Sequence, residues 1–232
     1  MTRHYIALSI YCSHEVSVTH DSEVKDMGLP RTSEGSTQLH QYVARERLIE
    51  LLQIHGESDT LDFKQSLDLT GNQARAELAR DILAFMNSDG GYLLIGVEDK
   101  TYAPLGLTVD ANFDTTKIYL AVSKYIDGDI PCIAAAYEVE AHEIGVGGWE
   151  SPRRFAILYF ARRPGIARPK GDAAFRNAKG EMKSILSVSD LLVRRGAQTV
   201  QANDADLRRL LGEVEAAKST EEHSIDCLLY TS

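Results

Sequence analysis

The sequence predicts an α/β (α+β) fold in a single domain, and three observations carry that prediction. Leu61 and Phe63 alternate with Asp62 and Lys64, the period of two that makes a strand. Leu78, Ile82, Leu83 and Met86 recur on one helical stripe. Tyr92-Leu93-Leu94-Ile95-Gly96-Val97 is a continuous apolar run, as a central strand covered on both faces requires. The 232 residues suffice for one ordinary domain with tails, and 44% apolar with 25% charged residues exclude collagen, coiled coil and wholesale disorder. No window approaches 18 consecutive apolar residues, so no membrane span is expected.

Taken in order, residues 1–40 lack periodicity and read as a poorly ordered leader. The domain is expected over residues 41–217. Val43, Leu48, Leu51 and Leu52 predict a short helix ended by His55-Gly56. The strand over 61–64 places its apolar face inward and turns Asp62 and Lys64 outward together. Residues 68–72 form a loop with a candidate N-cap, and a helix runs from Ala74 to the stop at Asn87-Ser88-Asp89-Gly90-Gly91. The apolar strand follows. A helix is expected over 115–125, strands over 132–139 and 154–161, and a mobile hairpin loop over 140–152. Residues 162–183 read as one long basic Gly/Pro loop. Residues 191–194 read as a last strand and 204–216 as a final amphipathic helix. The ending, from 218 and above all Cys227 to Ser232, fits no element and reads as a tail foreign to the fold.

The net charge of −9 argues against a general nucleic-acid binder, but its distribution is uneven. Residues 150–200 hold eleven Lys/Arg against four acids, so this stretch is +7 and the remainder −16. Arg153, Arg154, Arg162, Arg163, Arg168, Lys170, Arg194 and Arg195 are the candidates for an anion-binding face. Three scattered cysteines with no CxxC pair argue against a disulfide framework or a zinc site and point to a reducing, cytoplasmic setting. No P-loop, GxSxG or HExxH motif occurs. The histidines show no ligand spacing, and His55 is the one nearest the acids discussed next.

Glu57, Asp62, Glu98 and Asp99 converge if the strands at 61–64 and 92–97 are neighbours. Hard carboxylate oxygens suit Mg²⁺ or Mn²⁺, and Lys64 would steady developing negative charge. On spacing alone, a solvated strand face with an Asp62–Lys64 pair is the plainer reading. Asn87, Gly90, Gly91 and Gly196 read as turn residues.

These motifs together resemble the Schlafen AlbA-like domain, often described as DNA-binding. Glu57-Ser58-x-x-Leu61-Asp62-Phe63-Lys64 is similar to its opening. Ala84-Phe85-Met86-Asn87 then matches its helix end, Gly90-Gly91 through Ile95-Gly96-Val97-Glu98-Asp99 its central strand, and Gly106 a glycine shortly after. Val193-Arg194-Arg195-Gly196-Ala197-Gln198-Thr199 matches its closing strand. The resemblance covers residues 43–212. It implies a mixed sheet flanked by helices that binds nucleic acid, RNA or DNA. For a metal-dependent endoribonuclease acting on structured RNA such as tRNA, it implies Glu57, Asp62 and either Glu98 or Asp99 as the acids, with Lys64 beside them. Asp62 stands where glutamate is commoner, one methylene shorter. A groove of two lobes would need a homodimer, because the chain carries one copy. The zinc site of animal Schlafens has no counterpart in this sequence. The competing expectation is a non-catalytic DNA-binding, nucleotide-binding or protein-interaction module.

Overall fold

The computed structural model describes residues 41–107, 115–176 and 179–229. The expected leader lies outside them. A 3₁₀ turn (Gln41–Val43) leads into helix α1 (Arg45–Leu52). Strand β1 (Leu61–Lys64), helix α2 (Asn72–Met86) and strand β2 (Gly91–Ile95) follow. Then come α3 (Thr115–Val122), β3 (Cys132–Val139) and β4 (Arg153–Phe160). Strands β5 (Ala173–Arg176) and β6 (Met182–Leu186) pair with each other, as do β7 (Leu192–Arg195) and β8 (Gln198–Gln201). Helix α4 (Asp204–Leu229) closes the described chain.

The central sheet has the order β1-β2-β4-β3. β1 and β2 are parallel and the other pairs antiparallel, so the sheet is mixed. Side chains alternate between two cores. Leu93, Ile95, Ala156, Leu158 and Phe160 face α2 and α3. Leu61, Phe63, Leu94, Phe155 and Ile157 face Leu48, Leu51 and Leu52 of α1. Because both faces are covered, the apolar run at β2 is continuous. Helix α2 also contacts both small hairpins.

Three expectations are corrected. The long loop over 162–183 holds β5 and half of the β5–β6 hairpin. The last strand is a hairpin, with β8 unforeseen because Gln198, Thr199 and Gln201 carry little apolar signal. The N-cap of α2 does fall in the 68–72 loop, at Gly71 and without a side-chain hydrogen bond, while Asp68 accepts the Thr70 N–H at 2.8 Å. The final helix also runs beyond Ala216 to Leu229.

The turn after α2 is fixed by Asn87 and two glycines. Asn87 is fully buried; its amide donates to the carbonyls of Ala167 (2.8 Å) and Leu192 (2.9 Å), and its Oδ1 accepts the Ala167 N–H at 2.8 Å. One side chain thereby ties α2 to two distant segments. Gly90 has φ +76°, and a Cβ there would lie 2.7 Å from the Phe160 carbonyl oxygen. At Gly91 a Cβ would lie 2.4 Å from the Phe85 ring. Asn87→Ala strands three buried backbone groups, each costing roughly 1–3 kcal/mol. Urea unfolding of this variant is expected to show a clearly lower midpoint at an unchanged slope.

Candidate functional site

β1 is an edge strand, so the Phe63 N–H has no strand partner. The turn at Ser58–Leu61, closed by Ser58 N–H to the Leu61 carbonyl at 2.9 Å, folds Glu57 back along that edge. Its Oε1 accepts the Phe63 N–H at 3.0 Å. Burial raises the Glu57 pKa; the Phe63 hydrogen bond opposes this, the fields of Asp62 and Asp99 add to it, and Lys64 opposes it. Asp62, Asp99 and Lys64 therefore all act electrostatically on Glu57. Glu98 is not among the groups acting on Glu57. Its carboxylate receives the Thr101 hydroxyl, while its backbone closes a turn with Tyr102 and Ala103.

Asp62 and Lys64 do share a face, but that face is not solvated. The register opposite Leu93 and Ile95 turns both toward α2, where Asp62 is 5% exposed. Lys64 Nζ donates to Asp62 Oδ2 at 2.9 Å and pairs with Asp81 of α2 at 3.2 Å. Burial alone would lower the Lys64 pKa, but Asp81 and Asp62 outweigh it and raise it. From the other side comes Arg194 of β7. Its Nη2 lies 3.1 Å from the Ser58 carbonyl and 3.4 Å from Asp62 Oδ1, and its guanidinium sits 4.8 Å from the Phe85 ring centroid. Arg194 is 7% exposed, and its Nε has no partner among the described residues. The expectation that Arg194 contacts nucleic acid is thus corrected: it is an internal counter-ion for Asp62.

A divalent ion fits these residues poorly. Both Asp62 oxygens are held by cations and one Glu57 oxygen by a backbone N–H. Among the described residues no three His, Cys, Asp or Glu side chains gather so as to hold an ion. The expected Mg²⁺ or Mn²⁺ site at Glu57, Asp62, Glu98 and Asp99 is therefore not formed by this arrangement.

The basic candidates do not make one groove. Arg153 and Arg154 open β4, while Arg162 and Arg163 follow its end, about 25–30 Å away at strand rise. Arg153 donates to the Pro104 carbonyl at 3.1 Å and lies over Trp149 at 4.6 Å. Arg162 pairs with Glu213 and with Asp89, and Arg195 with Asp206 at 2.7 Å. A different group is drawn together. Residues 125–127 pair with 168–170, through Asp127 N–H to the Arg168 carbonyl (3.0 Å) and Lys170 N–H to the Tyr125 carbonyl (2.8 Å). Arg163 donates to the Asp127 carbonyl at 2.6 Å, and Lys124 lies over Tyr125 at 5.4 Å. Arg163, Arg168, Lys170 and Lys124 thus surround one turn, with Asp127 and Asp129 as the acids in it. Lys124 was missed because no charge run includes it; only the bridge between residues 126 and 169 places it there.

The family model described as Schlafen, AlbA_2 matches residues 57–203. No curated protein matches the chain. Among solved structures, the DIP2311 protein from Corynebacterium diphtheriae is similar with a TM-score of 0.41 and 16% identity. That alignment covers 73% of this chain and 28% of the other, so the chain spans little more than a quarter of that protein.

Two outcomes follow from the ionic contacts. Arg194→Ala leaves Asp62 short of a buried partner and is expected to cost about 3–5 kcal/mol. Arg195→Ala removes an exposed pair and is expected to cost less than about 1 kcal/mol in the same denaturant titration. Because Glu57 holds its proton more tightly when folded, its contribution to stability is greatest below about pH 4 and falls as pH rises through its raised pKa. Glu57→Gln keeps an acceptor for Phe63 and removes that fall. Its melting temperature relative to wild type is expected to increase from pH 4 to pH 7.

Proposed function

The chain belongs to the Schlafen AlbA_2 family, and from that premise we propose that it binds nucleic acid through the phosphate backbone at Lys124, Arg163, Arg168 and Lys170. The observation that supports this reading is the bridge between 125–127 and 168–170, which gathers these cations around one turn of an otherwise acidic protein. Arg168 and Lys170 are exposed and make no ion pair among the described residues, so their charge is available to phosphate. Such contacts read charge and spacing, not base identity, and they serve RNA and DNA alike. Among the described residues no helix is long and apolar enough to cross a membrane.

Metal-dependent endoribonuclease activity is the finer reading of the family resemblance. It requires Asp62 to leave Lys64 and Arg194 before either of its oxygens is free for an ion, and no step is derived through one. A groove of two lobes would bring a second copy of the same turn alongside the first. Light scattering with and without an oligonucleotide tests that dimer.

The binding reading is tested by gel shift of labelled tRNA and single-stranded DNA across a salt series, in chelator and in Mn²⁺. Binding is expected to weaken steeply with salt, with a log–log slope of about −2 to −3 for three or four phosphate contacts. Arg168→Glu with Lys170→Glu is expected to abolish the shift, Arg195→Ala to leave it, and Mn²⁺ to leave both nucleic acids uncut. A salt-independent shift, or one unchanged by the double reversal, overturns the assignment.

A further inference from the structure

A cleft of about 490 Å³ opens between α1 and the turn that carries Glu57. Its volume lies within the range of small-molecule sites. We propose that it is a nucleotide site, taking one base against Leu51, Ile54 and Leu61 and its phosphate at Arg47 and His55. The class of ligand rests on the nucleic-acid reading above; the cleft lies in a different part of the fold from the 124–128 turn.

The lining is divided by chemistry. Leu51 and Leu61 are buried and form an apolar wall, and Ile54 is 44% exposed beside them. Arg47 is held in place by the Tyr92 ring, 5.0 Å below its guanidinium, and by Glu50 at 2.9 Å. Its side chain is still 40% exposed. A planar guanidinium both stacks on a base and binds phosphate in bidentate fashion. Glu57 has one oxygen fixed by the Phe63 N–H and lines the cleft together with the Ser58 and Thr60 segment. A carboxylate repels phosphate but suits the hydrogen-bonding edge of a base. The polarity is therefore set: base toward Glu57, phosphate toward Arg47 and His55.

Arg47, Leu51, Ile54 and His55 all precede residue 57, where the family match begins. This wall belongs to α1 and the segment that follows it, so the family match covers only the opposite side of the cleft, from Glu57 to Leu61 with Tyr92.

The test is calorimetric titration of the full chain, in chelator, with AMP, GMP, CMP, UMP and inorganic phosphate. At least one nucleotide is expected to bind saturably, and phosphate about tenfold more weakly or worse. Ile54→Trp fills the cleft from an exposed position, and Arg47→Ala removes the guanidinium. Each is expected to weaken nucleotide binding about tenfold with an unchanged melting temperature. Arg168→Glu with Lys170→Glu is expected to leave mononucleotide binding intact while abolishing the oligonucleotide shift. No saturable nucleotide binding, equal binding of phosphate, or indifference to Ile54→Trp overturns the proposal. A shift of oligonucleotides without nucleotide binding overturns the cleft and spares the backbone surface. Nucleotide binding sensitive to Ile54→Trp without any shift supports the cleft as a site for free nucleotides and overturns the backbone surface.

Discussion

The fold turns on one buried cation, Arg194, and one half-buried cation, Lys64, meeting a buried carboxylate. Asp62 lies on a sheet face that α2 and the β7–β8 hairpin cover, where an unpaired charge would be costly. Lys64 and Arg194 neutralise it, and Asp81 offsets the excess positive charge. These four groups come from β1, α2 and β7, three elements far apart in sequence. Ion pairs of this kind add little net stability compared with an apolar core, but they penalise any other register. If β1 slipped by one residue, Asp62 would turn into the apolar α1 core and Phe63 would face Asp81 and Arg194.

The same network decides what the acids are free to do. A carboxylate between two cations is a poor ligand for a third, and Asp62 is the most enclosed of the four candidate acids. Glu57 and Asp99 lie outward of it and keep more freedom, and Glu57 answers to both fields. The acids therefore form a gradient from structural to available, with Asp62 at the inner end and Glu57 opening onto the cleft beside α1.

Much of this was legible in the residues, and what was not has physical causes. The β1 alternation gave the right face for Asp62 and Lys64, but periodicity cannot say whether a polar face meets water or a helix carrying the opposite charge. Asp81 and Arg194 settle that, and they lie 19 and 132 positions from Asp62. Charge density between 150 and 200 suggested one basic face, yet an eight-residue strand separates its first pair from its second. Arg194 and Arg195 are neighbours with opposite fates because alternate strand residues face opposite sides. The β5–β6 hairpin escaped notice because its strands, Ala173–Arg176 and Met182–Leu186, show no sustained alternation of apolar and polar residues. Asn87 was read as a turn residue, and it is one, but its bonds to Ala167 and Leu192 depend on tertiary contacts that no local motif encodes.

The family match begins at Glu57, yet the physical domain begins earlier. Leu48, Leu51 and Leu52 of α1 close the core over Leu61, Phe63, Leu94 and Ile157, while Tyr137 donates to the Val43 carbonyl at 2.9 Å. Arg45 reaches across to Glu143 at 2.6 Å, and those hydrogen bonds, with one from the Glu140 N–H, hold the Glu143 pKa down to about 2. Without α1, the part of that sheet face around Leu61, Leu94 and Ile157 would present large apolar side chains to water, a patch that soluble monomers rarely leave open. The helix is therefore part of the fold, and since it also supplies Arg47 and Leu51, the element that completes the core shapes the cleft.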